Sequence, residues 1–593
     1  MSDQKTLDPS VCWDLSPIFA DRAAWEAAYR EAEQAVSKLP ALRGTLAASA
    51  DSLKRALDKL NETAEKVTLV YLYANLSKCK DNGNPDYQEM EGKALSLYVS
   101  FSGAVSFFDP EVLSFEESVL ESYRKDPGLS DYLHILDDTV RARNHTLDEE
   151  REKMLALLGD ASSAPSDIFN MFEAVDLTFP DVEDESGKKA PLTHGSFGIF
   201  RESANRTVRE TAFRVYHSAF SGFRNTLAAT YAGSVKNDDY YAKVRGYSSS
   251  VERALFSNNV PVSVYQALIE AVHDSLPIMK DYLELRKQAL GLEELHLYDL
   301  YAPIVDDIDY PVSYEEAKEM VLEATKPLGE RYQSLLKEAY ANRWIDVYET
   351  KGKTTGAFSC GVYGVHPYVL LNYSGRLDDA YTLAHELGHS MHSYFSSEAN
   401  SFANHDYRIL VAEVASTVNE VFMTRYLLSK ETDKKRRAYI LNQFLEGFRT
   451  TVFRQTLFAE FEWKAHELYA SGTPLTADVL GKLYHDLNAL YYDGAVIDDF
   501  MDIEWARIPH FYNAFYVYQY ATGFCSAVSI VEKILSTNDP SDYLLFLSKG
   551  GSDYPLEELK IAGVDLTKPD AVCQAMSVFR STLDELKELL TLP

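Results

Sequence analysis

Apolar residues recur at three- and four-residue spacing along most of the chain. Residues 21–37 place Ala, Trp and Tyr at that interval, and Pro40 follows as a stop. The same amphipathic period predicts helices near 51–78, 86–105, 147–159, 205–232, 262–290, 313–341, 436–470 and 573–590. Two stretches break the period. Over 175–199, VDLTFP and APLTHGSFGIF flank the polar DVEDESGKK, which predicts a hairpin. Over 354–373, TTGAFSCGVYGVHPYVLLNY is rich in glycine, aromatics and β-branched residues, and it predicts a strand, a glycine loop and a second strand. The pattern therefore predicts a mainly α protein with small β elements. There is no internal repeat and no long linker. The expected division is an N-terminal helical region over 1–110, a helical subdomain ending in the first hairpin over 111–200, and a third region over 201–593.

Composition narrows the function. Of 593 residues, 58 are Lys or Arg and 90 are Asp or Glu, a formal net charge of −32. So acidic a surface repels phosphate backbones and anionic lipid, which argues against nucleic acid and membrane partners. The five cysteines, Cys12, Cys79, Cys360, Cys525 and Cys573, form no CxxC pair, as expected of reduced thiols in a cytosolic protein. The N-terminus has no basic segment followed by an apolar run. A cytoplasmic location is the expectation.

The chemistry concentrates at residues 385–389, His-Glu-Leu-Gly-His. Two histidines four apart on a helix face one side about 6 Å apart, close enough to share one zinc ion. Glu386 lies about 100° round from His385, placed to take a proton from an attacking water. Leu383, Leu387 and Met391 fall on the opposite side, giving an apolar back and a polar front. His392 shares that front. Chance alone yields such a motif roughly 0.03 times in a chain of this composition.

A catalytic zinc site needs a third protein ligand. In LVAEVASTVNEVFM, residues 410–423, Val411, Ala415, Val418 and Phe422 form an apolar stripe. Glu413, Thr417 and Glu420 lie opposite. Glu413 is the candidate third ligand. Glu420 is the candidate partner for the second ring nitrogen of a ligand histidine, and His392 a candidate neighbour of the same kind.

HELGHSMH followed by AEVASTVNE resembles the zinc oligopeptidases, the family that includes thimet oligopeptidase and oligoendopeptidase F. WDLSPIF, the 354–373 segment and IPHFYNAFYVYQYATG are similar to the oligoendopeptidase F branch. The resemblance implies an almost wholly helical, two-lobed fold with a deep central channel and a small β element beside the metal helix, and it makes 201–593 the catalytic region. It implies one zinc per chain and endopeptidase action on short unfolded oligopeptides. Carried over by position, His385, His389 and Glu413 match the metal ligands, and Glu386 matches the general base. His510, Tyr512 and Tyr516 match positions that contact substrate and the tetrahedral intermediate. A helical run would put Tyr512 and Tyr516, four apart, on one side. His366 is a candidate substrate contact, and the 354–373 strand edge a candidate partner for an extended peptide. Two other readings stay open at this point: an exopeptidase with a basic group that captures a peptide terminus, and an acidic helical scaffold that binds peptides without cutting them. The oligomeric state is undetermined.

Overall fold

The helical period asserts itself throughout. The computed structural model describes residues 8–305, 308 and 310–590. Helices hold 71% of the residues and strands 3%, so the chain is mainly α. Local chemistry sets the boundaries. Asp21 caps Arg22–Val36 by accepting from the Ala24 N–H, and Ser49 caps Ala50–Lys80 through the Ser52 N–H. Three stretches read as single helices are each two, and a fourth, 436–470, is interrupted by a π turn at Arg449–Phe453. Residues 262–290 break at Ser275 before Pro277, giving Val262–Asp274 and Leu276–Ala289. Residues 313–341 break at Lys326-Pro327, giving Tyr314–Ala324 and Gly329–Ala341. Proline lacks the N–H that would continue the ladder. Residues 205–232 divide at Gly222-Phe223 into Arg206–Ser221 and Arg224–Val244. One expected short helix is longer, Glu149–Met171, with Pro165 inside it.

Both β elements are present. Val182–Glu183 pairs antiparallel with Lys189–Ala190 around a Gly187 turn. In the second, Tyr368–Leu370 is the central strand of three. It pairs antiparallel with Phe358–Cys360 and parallel with Ile345–Asp346, a strand that the sequence pattern does not predict.

The chain forms two compact units, each assembled from three separate stretches. The first takes Met1–Thr146, Asp309–Tyr426 and Ile530–Gly563; the second takes Leu147–Ile308, Leu427–Ser529 and Val564–Pro593. The units interleave along the chain, which a division into consecutive regions does not anticipate. In the first unit, Ala50–Lys80 and Pro85–Val105 form a helical hairpin whose turn docks on the segment leading into the sheet. The Asn82 N–H donates to the Gly352 carbonyl at 2.7 Å. A Cβ at Gly352 would meet Asp81 Oδ1 at 2.4 Å, and its φ is +85°, so only glycine fits there. Trp13, Leu15, Leu76, Tyr368 and Leu370 form one core, which joins the N-terminus to the sheet. In the second unit, Lys434–Phe448 packs on Asp570–Leu590, and Arg454–Ala470 packs on both Ala477–Tyr491 and Arg224–Val244. Among the described residues, no helix is long and apolar enough to cross a membrane.

Candidate metal centre

Two helices, Leu377–Ala399 and Ile409–Lys430, carry the site on residues that belong to the first unit. Leu383, Leu387 and Met391 are fully buried, as the apolar back of the first helix requires. The helices approach very closely at Gly388. A Cβ there would meet the Ala415 carbonyl oxygen at 2.5 Å and Ser416 Cα at 2.6 Å, both backbone atoms. Glycine within the His-Glu-Leu-Gly-His run is thus what lets the second helix lie against the first. Asn419 locks the pair. Its Nδ2 donates to the Ala384 carbonyl at 2.9 Å, and its Oδ1 accepts from the Tyr332 hydroxyl at 2.9 Å.

This approach gathers His385, His389 and Glu413. One ligand atom from each lies within 4.8 Å of the others, the one such cluster among the described residues. Glu413 Oε2 is 3.4 Å from His385 Nε2 and 3.6 Å from His389 Nε2. Two ligands each 2.0–2.1 Å from one tetrahedral ion lie about 3.3 Å apart. The spacing is long for hydrogen bonds and right for two nitrogens and an oxygen around a shared cation. The residues therefore fit a zinc-sized metal, with two imidazoles and one carboxylate as donors.

The surroundings tune these donors. Glu420 Oε1 lies 2.7 Å from His385 Nδ1, which turns Nε2 toward Glu413. Burial alone would lower the His385 pKa, but Glu420's hydrogen bond and charge raise it to about 9 in the metal-free protein. His389 beside it has the largest of the effects that bring Glu413 down to about 2, and the Ser416 hydroxyl adds to it from 3.0 Å. Burial pushes the Glu386 carboxyl above its ordinary range, and His385 and His389 offset only part of that. Glu386 is thereby a better proton acceptor than a solvated glutamate.

The other sequence candidates lie elsewhere. His392 shares the helix face but is buried, stacked on Tyr407 at 3.6 Å with Phe546 beyond, and burial lowers its pKa to about 3. It braces the helix from within the core. His366 stacks on Trp344 at 4.7 Å and on Tyr368 at 4.5 Å, with Nδ1 2.9 Å from the Pro367 carbonyl; the structure gives it a packing role in the hairpin.

His510, Tyr512 and Tyr516 belong to the second unit, and the expected helical run does not form there. Pro509–Tyr512 is a single 3₁₀ turn, Phe515 has φ +60°, and the helix begins only at Tyr518. A non-glycine residue in the left-handed region is strained and marks a constrained turn. Tyr512 therefore stacks on Phe169 at 4.6 Å instead of sharing a side with Tyr516. Tyr516 packs edge-on against Tyr520 at 5.4 Å, and its ring lies parallel to that of His510 at 6.4 Å. His510 Nε2 is 3.5 Å from the Tyr520 hydroxyl. Tyr520 is the member of this group that sequence spacing missed. Gly388, Asn419 and Ser416 were missed too. The quoted motifs contain all three, but nothing in spacing alone marks their role.

A family profile, peptidase family M3, matches residues 199–578, and a second, oligopeptidase F, matches 111–179. The chain belongs to peptidase family M3. It is a metallo-endopeptidase of the oligoendopeptidase F type. The chain is 42% identical to oligopeptidase PepF of Bacillus subtilis, over 100% of its own length and 89% of that protein's. It is 38% identical to an oligoendopeptidase F homologue of Lactococcus lactis, over 99% and 98%. The crystal structure of oligoendopeptidase F from Enterococcus faecium is similar at a TM-score of 0.73 and 38% identity, covering 95% of this chain and 98% of that one. A chain from Chlamydophila abortus reaches 0.93 at 34% identity, with 99% of each chain covered.

Proposed function

We propose that this M3 peptidase is a zinc-dependent endopeptidase that hydrolyses internal bonds of short unfolded peptides in the cytoplasm. The observation that carries the reading is the spacing of His385, His389 and Glu413 with Glu386 buried on the same helix. Zinc held by these three residues would supply a Lewis acid and an acidified water. Glu386 accepts the proton of the attacking water and returns it to the leaving amine. Burial raises its pKa, which makes it a stronger base than a solvated glutamate. Glu420 holds His385 in the tautomer that offers Nε2. The edge strand Phe358–Cys360 offers backbone groups to an extended peptide, and the Ser359 hydroxyl touches Ser390 of the metal helix at 2.8 Å. Pairing of this kind is insensitive to side chains and suits broad specificity. His510 and Tyr516 are assigned to the developing oxyanion by the family resemblance.

The test is mass spectrometry of a peptide ladder running from about five residues up to a small folded protein, with and without a chelator. Internal cuts confined to the short peptides and abolished by chelation are expected, together with one zinc per chain by elemental analysis. Cuts at one terminus only would favour the exopeptidase. Glu386→Gln should keep the metal and lose about 10²- to 10⁴-fold in turnover. Unchanged turnover would remove Glu386 from the mechanism.

A further inference from the structure

The interior of the second unit gathers guanidiniums around one phenol. Arg201 lies over the Tyr301 ring at 4.0 Å, and Arg449 lies over it at 4.5 Å. Arg449 opens a π turn, Arg449–Phe453, whose closing N–H from Arg454 donates to the Arg449 carbonyl. Such turns concentrate at functional sites. Among the described residues, the buried carboxylates here are too few for the arginines. Arg286 and Arg449 share Glu446; Arg454 and Arg507 share Glu504. Each set holds one positive charge more than it neutralises. Arg201, over the same ring, pairs with Glu202 at 3.9 Å. Uncompensated charge is costly in a protein interior.

Two buried donors complete the picture. The Nη1 of Arg449, whose side chain is 0% exposed, has no hydrogen-bond partner among the described residues. Neither does the hydroxyl of Tyr492, a residue 2% exposed. Burial raises the Tyr492 pKa, while Arg454 and Arg449 pull it down. Burial would raise Tyr301 as well, yet Arg454, Arg449 and Arg201 together bring it to about 8. The field that favours a phenolate favours any small anion.

We propose that Arg449 Nη1 and the Tyr492 hydroxyl ligate a small monovalent anion of the chloride class, walled by Tyr301 and Arg454. A chloride ion accepts from several N–H and O–H donors and offsets part of this excess charge. It would brace the turn Glu504–Arg507, which leads into the turn bearing His510. The inference stands apart from the catalytic reading, since no step of hydrolysis is needed for it.

The test uses the full metal-loaded chain. Crystals soaked in bromide should show an anomalous peak within hydrogen-bond reach of Arg449 Nη1. Tm should rise saturably with chloride or bromide and not with gluconate at equal ionic strength. In Tyr492→Phe the half-saturating chloride should move up at least tenfold. In Tyr301→Phe, which removes the competing phenolate, the chloride dependence should persist. No anomalous peak on the wild-type protein, with identical Tm curves in chloride and gluconate, would overturn the site whatever the variants do.

Discussion

In the first unit, Glu386, Glu413 and Glu420 surround two imidazoles. In the second, Arg286 with Arg449, and Arg454 with Arg507, each share one carboxylate. One interior holds more acid than base, the other more base than acid. Both concentrate like charge that burial penalises, and both do so on helices whose remaining faces are ordinary apolar core. The difference is in how the helices meet. The metal helices touch backbone to backbone at Gly388, so short carboxylates reach the imidazoles. Arg449 reaches Tyr301 on a long side chain from a π turn, and Arg201 reaches it from the end of the helix His194–Arg201. A site that must hold a small cation in fixed geometry needs the rigid contact, whereas long cations on stems can converge on a ring from a distance.

The largest break in this comparison comes from the contact itself. Gly388→Ala drives a methyl into the Ala415 carbonyl and Ser416 Cα. Neither atom can swing aside, so the helices must part. The expected loss is about 3 kcal/mol of stability. The larger consequence is at the metal, because separation pulls Glu413 from the two histidines. Zinc retention after dialysis should fall to background, even at temperatures where circular dichroism shows a folded chain. Full retention would show that the close approach does not set the site.

A smaller effect follows from Glu420. Removing such a partner of a ligand histidine weakens metal binding about 10- to 100-fold. Here the size depends on pH. Glu420 raises the metal-free His385 pKa to about 9, so below that pH a proton competes with the ion. Glu420→Gln weakens that competitor along with the ligand. The loss in zinc affinity should therefore be greatest above pH 9 and shrink toward pH 7. Titration against a competing chelator at both pH values measures it, and an equal loss at both would contradict the raised pKa.

Much of this was legible in the sequence, and the exceptions have physical causes. The clustered donors were readable in part because helical spacing is rigid: positions four or seven apart share a side whatever the rest of the fold does. Spacing put His385 with His389 and Glu413 with Glu420, and the family resemblance singled out the candidate ligands among them. Tyr512 and Tyr516 failed the same reasoning because Phe515 leaves the helical region, and a spacing argument is only as good as the helix beneath it. His366 and His392 fell into aromatic stacks, where burial rather than position decides what a histidine does. The interleaved units were hidden because their contacts join residues hundreds of positions apart, such as Asn82 with Gly352. The arginine cluster gave no signal, since its members are scattered from 201 to 507 and only folding collects them.

The smallest effect sets the two interiors against each other directly. In the first unit, Glu558 is 2% exposed, and burial, with Asp553 nearby, pushes its pKa to about 8 against the weaker pull of Lys549 and Arg408. In the second, burial would raise Glu504 too, but Arg454 and Arg507 overrule it and hold the carboxyl well below its usual range. The signs are opposite. Glu558 keeps a proton in the folded chain that the unfolded chain releases above its ordinary pKa. Its contribution to stability is complete below about 4.5 and is lost as pH rises through 8, with a slope up to about 1.4 kcal/mol per pH unit. Glu504 contributes fully above its unfolded pKa, and that contribution is lost as pH falls toward the folded one. Alkali should therefore loosen the first unit and acid the second. Trp13, Trp25 and Trp344 report on the first, and Trp463 and Trp505 on the second. Followed by tryptophan fluorescence in variants that keep only one set, urea unfolding of the first unit should weaken from pH 6 to pH 8. Glu558→Gln should flatten that decline and leave the second unit's acid sensitivity untouched. A decline that persists in Glu558→Gln would place the responsible proton elsewhere in the first unit.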